Sequence, residues 1–487
     1  MKFKNGLLSF LLVSGSLLYV LSNWGCANIV PPSGGPRDTL PPRLVSATTP
    51  NFSYNVSVTP NKVVFTFDEY IDVKEVSDNL IVNPVPKTTP VVDSKLRTMT
   101  LRIKDTLQPN TTYTFNFGKA VRDVNEANIL RNFTYIFSTG PYIDSMEYSG
   151  NVILAATGKT DSSLVVILHK KMDDSAVVKD RPRYLAKVDT TGHFHFHHLE
   201  PGTYAVYAMK DEGSSHKYLS KSQLFAFADS PVDIGAHSQA ITLYAYSEKT
   251  EVKKSTTGAN GNGNKTPNLA KMSDKEREKK RSERLQFTTN TQGGAFDILD
   301  TFTFKFNDAL ELFDSSRIRF TDENFSDIDA KNYRFQRDTS NKKFWLFYPW
   351  PLDTKFNIIA SRDFAHDSLG RRLLKLDTIT FRTKKDIDYG EVRIRIPNLN
   401  LTRNPVLQFV QQDVVKYKYV FGRSKQFKVQ LFAPGEYELR ILYDTNQNGV
   451  WDPGEFFGKH LQPERVVTVR KKFTIKANWD NDLDITL

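Results

Sequence analysis

The sequence predicts an all-β chain of tandem sandwiches, and three observations carry that prediction. Apolar residues alternate with a period of two, short strand-like runs recur between turn signals, and the second half of the chain repeats the first. The alternation is clearest where Val63, Phe65 and Phe67 would line one strand face while Lys62, Val64 and Thr66 turn to the other. Turn-then-strand units follow at Leu107 to Phe115 and at Phe133 to Thr139, the spacing of a two-sheet sandwich.

The repeat is read by register. Phe302, Phe304 and Phe306 again form one strand face and are followed by Asn307-Asp308, as Phe65-Thr66-Phe67 is followed by Asp68-Glu69. Setting Pro434-Gly435-Glu436-Tyr437 on Pro201-Gly202-Thr203-Tyr204 places Phe427 on Phe194, Val429 on Phe196 and Asp444 on Asp211. A chain of 487 residues exceeds one core, and the duplicated pair makes four sandwiches.

The first of them, residues 42–140, carries Pro41-Pro42-Arg43-Leu44, Phe65 to Asp72, Leu107 to Phe117, Arg122-Asp123 and Phe137-Ser138-Thr139-Gly140. This combination resembles the bacterial Ig-like domain of S-layer and surface proteins, which implies a spacer or interaction module without an active site. Residues 141–246 centre on Gly192 to Leu199 followed by Glu200-Pro201-Gly202-Thr203-Tyr204 and are similar to prealbumin-like sandwiches of the Cna-B or carboxypeptidase-regulatory type. There the resemblance implies a hairpin about the Pro-Gly turn, a stalk or accessory role, and no peptidase activity. Residues 286–385 read as a second, divergent Ig-like domain and residues 386–487 as a second prealbumin-like one.

Between the two pairs, residues 247–285 are of different material. Gly258 to Thr266 is low in complexity, and Ser273 to Leu285 is highly charged, with Ser273 and Glu276 spaced to cap a short exposed helix. Gly258, Gly263 and Lys265-Thr266 lack the Gly-Lys pair and preceding strand of a phosphate loop, and Lys279-Lys280-Arg281 reads as a solvated face.

At the amino terminus, Lys2 and Lys4 precede an apolar run from Leu7 to Leu21 that is too short and too broken by Ser and Gly for a comfortable membrane span. Residues 1–25 read as a secretory signal. Cys26, the only cysteine, stands directly after Gly25. The arrangement resembles a bacterial lipoprotein signal whose cysteine becomes the lipidated first residue, although Asn23 and Trp24 depart from the small or aliphatic residues usual there. One cysteine cannot form an internal disulfide, so a lipid is its economical use. Residues 26–41, rich in Pro and Gly, form a tether. Without an acidic residue directly after Cys26, the segment resembles lipoproteins of Bacteroidota outer membranes, with the periplasmic or surface face left open.

The strongest chemical motif is Asp444-Thr445-Asn446-Gln447-Asn448-Gly449-Val450-Trp451-Asp452-Pro453-Gly454-Glu455. Asp444, Asn446, Asn448, Asp452 and Glu455 fall at positions 1, 3, 5, 9 and 12 of a calcium loop, with Gly449 at the sharp turn and the Val450 carbonyl at position 7. Tyr437 to Tyr443 alternates as a strand, so the loop joins β-structure and its expected role is rigidity. Asn-Gly and Pro-Gly would equally build a plain turn. Opposite Asn446 and Asn448 the first copy carries Gly213 and Ser215, so only the last sandwich is expected to hold Ca2+.

His193, His195 and His197 are spaced i, i+2, i+4, which on a strand puts all three on one face and makes a zinc or copper site conceivable. Their counterparts Gln426, Lys428 and Gln430 are all polar, so the alternative is the solvent side of an amphipathic strand. Catalytic signatures are wanting: the chain has no nucleophile elbow, no His-Glu-x-x-His and no phosphate loop. The net charge of +11, from 66 basic and 55 acidic residues, is spread in both signs, which points away from nucleic acid. The expectation is a non-enzymatic, lipid-anchored outer-membrane protein serving as scaffold or docking subunit of an envelope complex, such as one for β-barrel assembly or transport. A surface glycan-binding or adhesion module, using Trp345, Tyr348 and Trp350, is the alternative.

Overall fold

The computed structural model describes residues 37–59, 62–236, 238–248 and 284–487. Cys26, most of the tether and the charged segment with Ser273 lie outside the described residues. Strands dominate, as expected, and the chain divides into two compact units, the first ending at Ser145 and the second running from Met146 to Leu487.

In the first unit, alternation becomes a two-sheet core. Leu44–Ala47, Val63–Phe67, Thr98–Arg102 and Val91–Lys95 form one sheet in that spatial order, and Ile81–Asn83, Thr112–Asn116 and Thr134–Ser138 form another. Val63, Phe65 and Phe67 are buried against Phe115, Tyr135 and Phe137. The Phe65 ring meets Tyr135 edge-on at 4.9 Å, a geometry that adds about 0.5–1.5 kcal/mol beyond area burial.

The second unit contains three sandwiches. In residues 285–383, Phe287–Thr289, Phe302–Phe306, Lys343–Phe347 and Arg334–Arg337 repeat the strand order of the first unit's four-stranded sheet. Phe302, Phe304 and Phe306 are its buried face.

The other two sandwiches match each other strand for strand. One has a three-stranded sheet of His193–Leu199, Met146–Leu154 and Ile241–Ala245 facing a sheet of Tyr184–Lys187, Leu164–His169, Gly202–Lys210 and Phe225–Phe227. The other has Gln426–Phe432, Gly390–Arg395 and Asp480–Asp484 facing Val414–Val420, Pro405–Gln411, Gly435–Tyr443 and Arg465–Ile475. In both, the first and last strands pair in parallel.

The expected hairpin about Pro201-Gly202 is not formed. His193–Leu199 and Gly202–Lys210 lie in different sheets, so the Pro-Gly turn carries the chain across the sandwich. Gly202 and Gly435 hold φ of 151° and 155°, a conformation that only glycine adopts readily. Each corner is tied by the tyrosine two residues on: Tyr204 Oη donates to the Glu200 carbonyl at 2.9 Å, and Tyr437 Oη to the Ala433 carbonyl at 3.0 Å. These hydroxyls are satisfied locally while their rings fill the core, which favours a crossing over a ladder-paired hairpin.

Candidate functional site

The chain leaves the strand Gly435–Tyr443 at Asp444, whose side chain is 1% exposed. Its carboxylate is aimed back into the following loop, where Oδ2 accepts from Gly449 N at 2.6 Å and Oδ1 from Asn448 N at 3.3 Å. Gly449 takes φ of 71°, the turn the spacing required. Asp452 Oδ2 receives the side-chain amides of Asn446 at 2.7 Å and Asn448 at 2.6 Å. Asp444, Asn446, Asn448 and Asp452 therefore close on one another.

Glu455 is placed elsewhere. Its carboxylate pairs with Lys459 Nζ at 2.7 Å, and its backbone exchanges hydrogen bonds with Leu461. The acid that enters the loop is Glu464, nearly buried, which accepts from Thr445 N and Oγ1 at 2.7 Å through Oε1 and from Asp452 N at 3.1 Å through Oε2. Glu464 lies outside any twelve-residue pattern, and nothing in the spacing singles it out.

Between Asp452 and Glu464 the chain makes an arm that docks on the other sandwich of its kind. Phe456 is 1% exposed, with its ring 5.7 Å from Tyr207, 5.1 Å from Phe225 and 5.0 Å from Phe227. His460 Nε2 meets Asp174 Oδ2 at 2.7 Å, and Gln462 Nε2 donates to the Phe227 carbonyl at 3.0 Å and to Asp229 Oδ1 at 2.8 Å. A Cβ on Gly454 would come within 2.5 Å of the Leu461 carbonyl oxygen and 2.7 Å of the Tyr246 ring, so the close approach requires glycine.

The strand that follows continues the contact. Val466 N donates to the Ala155 carbonyl at 2.9 Å, and Thr468 Oγ1 to that of Thr157 at 3.1 Å. Beside them Arg440, 2% exposed, is held by Glu438 at 2.6 Å and Asp413 at 2.7 Å, while Lys159 reaches across to the same Asp413 at 2.6 Å. Burial works against the Arg440 charge, but its hydrogen bonds to Glu438 and Asp413 outweigh it and raise its pKa.

The strand His193–Leu199 buries Phe194 and Phe196 and turns His193, His195 and His197 outward, as the register with Gln426, Lys428 and Gln430 implied. His195 and His197 stand together, their rings stacked at 3.9 Å, and both reach Glu147 on the neighbouring strand. His195 Nε2 lies 3.2 Å from Glu147 Oε2, and His197 Nδ1 lies 3.0 Å from Glu147 Oε1. His193 is set apart, edge-on to His195 at 6.2 Å. Glu147 went unsignalled in the sequence because the pairing of strands 48 residues apart brings it in.

Of the aromatics offered for glycan stacking, Tyr348 and Trp350 pack into the core, whereas Trp345 alternates with the buried Phe344 and Leu346 and so lies on the opposite face of its strand. Trp350 packs against Phe296 at 4.9 Å, Phe320 at 5.5 Å and Phe356 at 5.4 Å, and Tyr348 against Phe320 at 5.1 Å. Among the described residues no helix is long and apolar enough to cross a membrane.

No curated protein matches this chain. Among solved structures, it is similar to native alpha-2-macroglobulin from Escherichia coli, domains MG0-NIE-MG1, at 11% identity and a TM-score of 0.19 over 39% of this chain and 73% of that one. The major pilin subunit BcpA of Bacillus cereus aligns at 10% identity and a TM-score of 0.17 over 70% and 99%. The S-layer protein SbsC does so at 11% and 0.15 over 84% and 53%. Scores this low carry no inference about this chain. The firm likeness is one of sequence: residues 38–139 match the family model of the bacterial Ig-like domain.

Proposed function

We propose that this chain is a non-enzymatic, lipid-anchored protein of the outer membrane that acts as a scaffold or docking subunit of an envelope protein complex. The observation that carries the reading is the arm from Asp452 to Glu464, which seats Phe456 in the aromatic cluster of the other sandwich of its kind. Judged by the cost of truncating a buried phenylalanine, Phe456 contributes about 3–5 kcal/mol to holding two sandwiches in one orientation. Such coupling suits a strut and would serve nothing in modules strung loosely on a tether.

Supporting it are the Ig-like match next to the tether, the lipidation-type signal of residues 1–25 directly before Cys26 and the absence of catalytic signatures from the sequence. We read the loop as a Ca2+ brace: Asp444, Asn446, Asn448, Asp452 and the Val450 carbonyl would hold the ion, while Glu464 accepts from the N–H groups of Thr445 and Asp452 and Glu455 pairs with Lys459 instead. Bound Ca2+ would stiffen the root of the docked arm.

Cross-linking in intact cells followed by mass spectrometry tests the reading. A reproducible envelope partner, together with loss of palmitate labelling and of membrane association in Cys26→Ala, is expected. Unchanged labelling of the variant, or no reproducible partner, ends it.

A further inference from the structure

Glu147, His195 and His197 form the only group of three or more ligand-capable His, Cys, Asp or Glu side chains among the described residues whose donor atoms all lie within 4.8 Å of one another. How they come together is a matter of strand pairing. The strand Met146–Leu154 runs antiparallel to His193–Leu199, with Met146 opposite Leu199 and Tyr148 opposite Phe196. Two steps on one strand match three on the other, so a bulge sets Glu147 against His197 and His198 together, and His198 takes the positive φ of 57° that this requires. The bulge turns both neighbouring imidazoles onto one carboxylate.

The other copy keeps the bulge and changes its chemistry. Gly390 opposes Phe432 and Val392 opposes Val429, so Glu391 is the counterpart of Glu147. There the carboxylate is neutralised by permanent cations, Lys428 Nζ at 3.1 Å and Arg393 Nη2 at 3.1 Å, which hold it below the usual carboxylate range. In the first copy Ser149 stands opposite His195 on that strand, and His195 and His197 occupy the places of Lys428 and Gln430. A fixed ion pair has been exchanged for two imidazoles and a carboxylate.

We propose that Glu147, His195 and His197 bind one borderline divalent transition-metal ion, Zn2+ or Cu2+, at the surface of this sandwich. In a tetrahedral site with metal–ligand bonds of about 2.0–2.1 Å, neighbouring donors lie about 3.3 Å apart. The observed 3.0 and 3.2 Å separations come close to that before any ion is placed. Imidazole nitrogen with one carboxylate oxygen suits these ions, whereas Ca2+ and Mg2+ call for oxygen throughout.

All three residues are exposed, which leaves the fourth position open to water or to a donor from a partner.

The experiment is calorimetric titration of the EDTA-stripped full-length chain in detergent with ZnCl2, in excess CaCl2 to fill the Asp444 loop. Wild type is expected to take up one equivalent, and saturating Zn2+ to raise its melting temperature. The double variant His195→Lys, His197→Gln reproduces the second copy's arrangement, so it should fold and melt as wild type does in EDTA while losing both the equivalent and the shift. Glu147→Gln should weaken binding, and His193→Gln should leave it unchanged. The absence of a wild-type isotherm, or its persistence in the double variant, overturns the site.

Discussion

The two matched sandwiches of the second unit share every principal strand and differ in what hangs from them. Asp211 and Asp444 hold the same place at the end of the same strand, and both accept backbone N–H groups from the loop that follows. In the first copy that loop is short, and Asp211 is satisfied by the backbone and ring of His216. In the second it extends into the arm that carries Phe456 to the first copy's Tyr207, Phe225 and Phe227. The difference teaches how a duplication becomes one body: the frame stays, one copy grows an arm, and its twin supplies an aromatic seat.

The comparison can be broken most severely at Phe456. Phe456→Ala empties the seat and should cost about 3–5 kcal/mol. By calorimetry it should split a shared transition into two, and a single unshifted transition would mean that the sandwiches are not coupled through the arm.

Acid should separate the copies next. His169 is 2% exposed and its place in the second copy is taken by Val410, as the pairings with Ala205 and Glu438 show. Burial holds the imidazole down at about 4 from an ordinary 6.5. The unfolded chain therefore binds the proton first, so the contribution is intact above about pH 6.5 and is lost as pH falls towards 4, by up to about 3 kcal/mol. His169→Val, which copies the twin, should flatten urea midpoints across that window, and an unaltered slope would assign the acid sensitivity elsewhere.

Asp444→Ala removes a buried acceptor from Gly449 and should destabilise by about 1–3 kcal/mol. It should also abolish any rise in melting temperature with Ca2+, whereas Asp211→Ala should leave that rise in place. Indifference of wild type to both Ca2+ and chelator would leave the loop as a turn only. The smallest effect is expected at Lys159, 42% exposed where it meets Asp413. Lys159→Ala should cost less than about 1 kcal/mol and less still in high salt.

Much of this was open to reading in advance, because period-two alternation is a local property. Phe65 and Phe304 declare their burial through their immediate neighbours, and the Pro-Gly-x-Tyr corners align the two copies whatever they pack against. The candidate sites were legible only in part. Asp444, Asn446, Asn448 and Asp452 follow from spacing within one loop. Glu455 has the right spacing, but its backbone pairs with Leu461 at the base of the arm and its carboxylate pairs with Lys459.

The sequence by itself therefore determined the strands, the buried faces and the duplication, since each rests on residues a few positions apart. The tertiary structure alone decided that Pro201-Gly202 crosses between sheets, that Glu464 enters the Asp444 loop, that Glu147 joins His195 and His197, and that Phe456 locks two sandwiches together. All four depend on which strand lies beside which, and side chains from distant strands meet only after the backbone has paired.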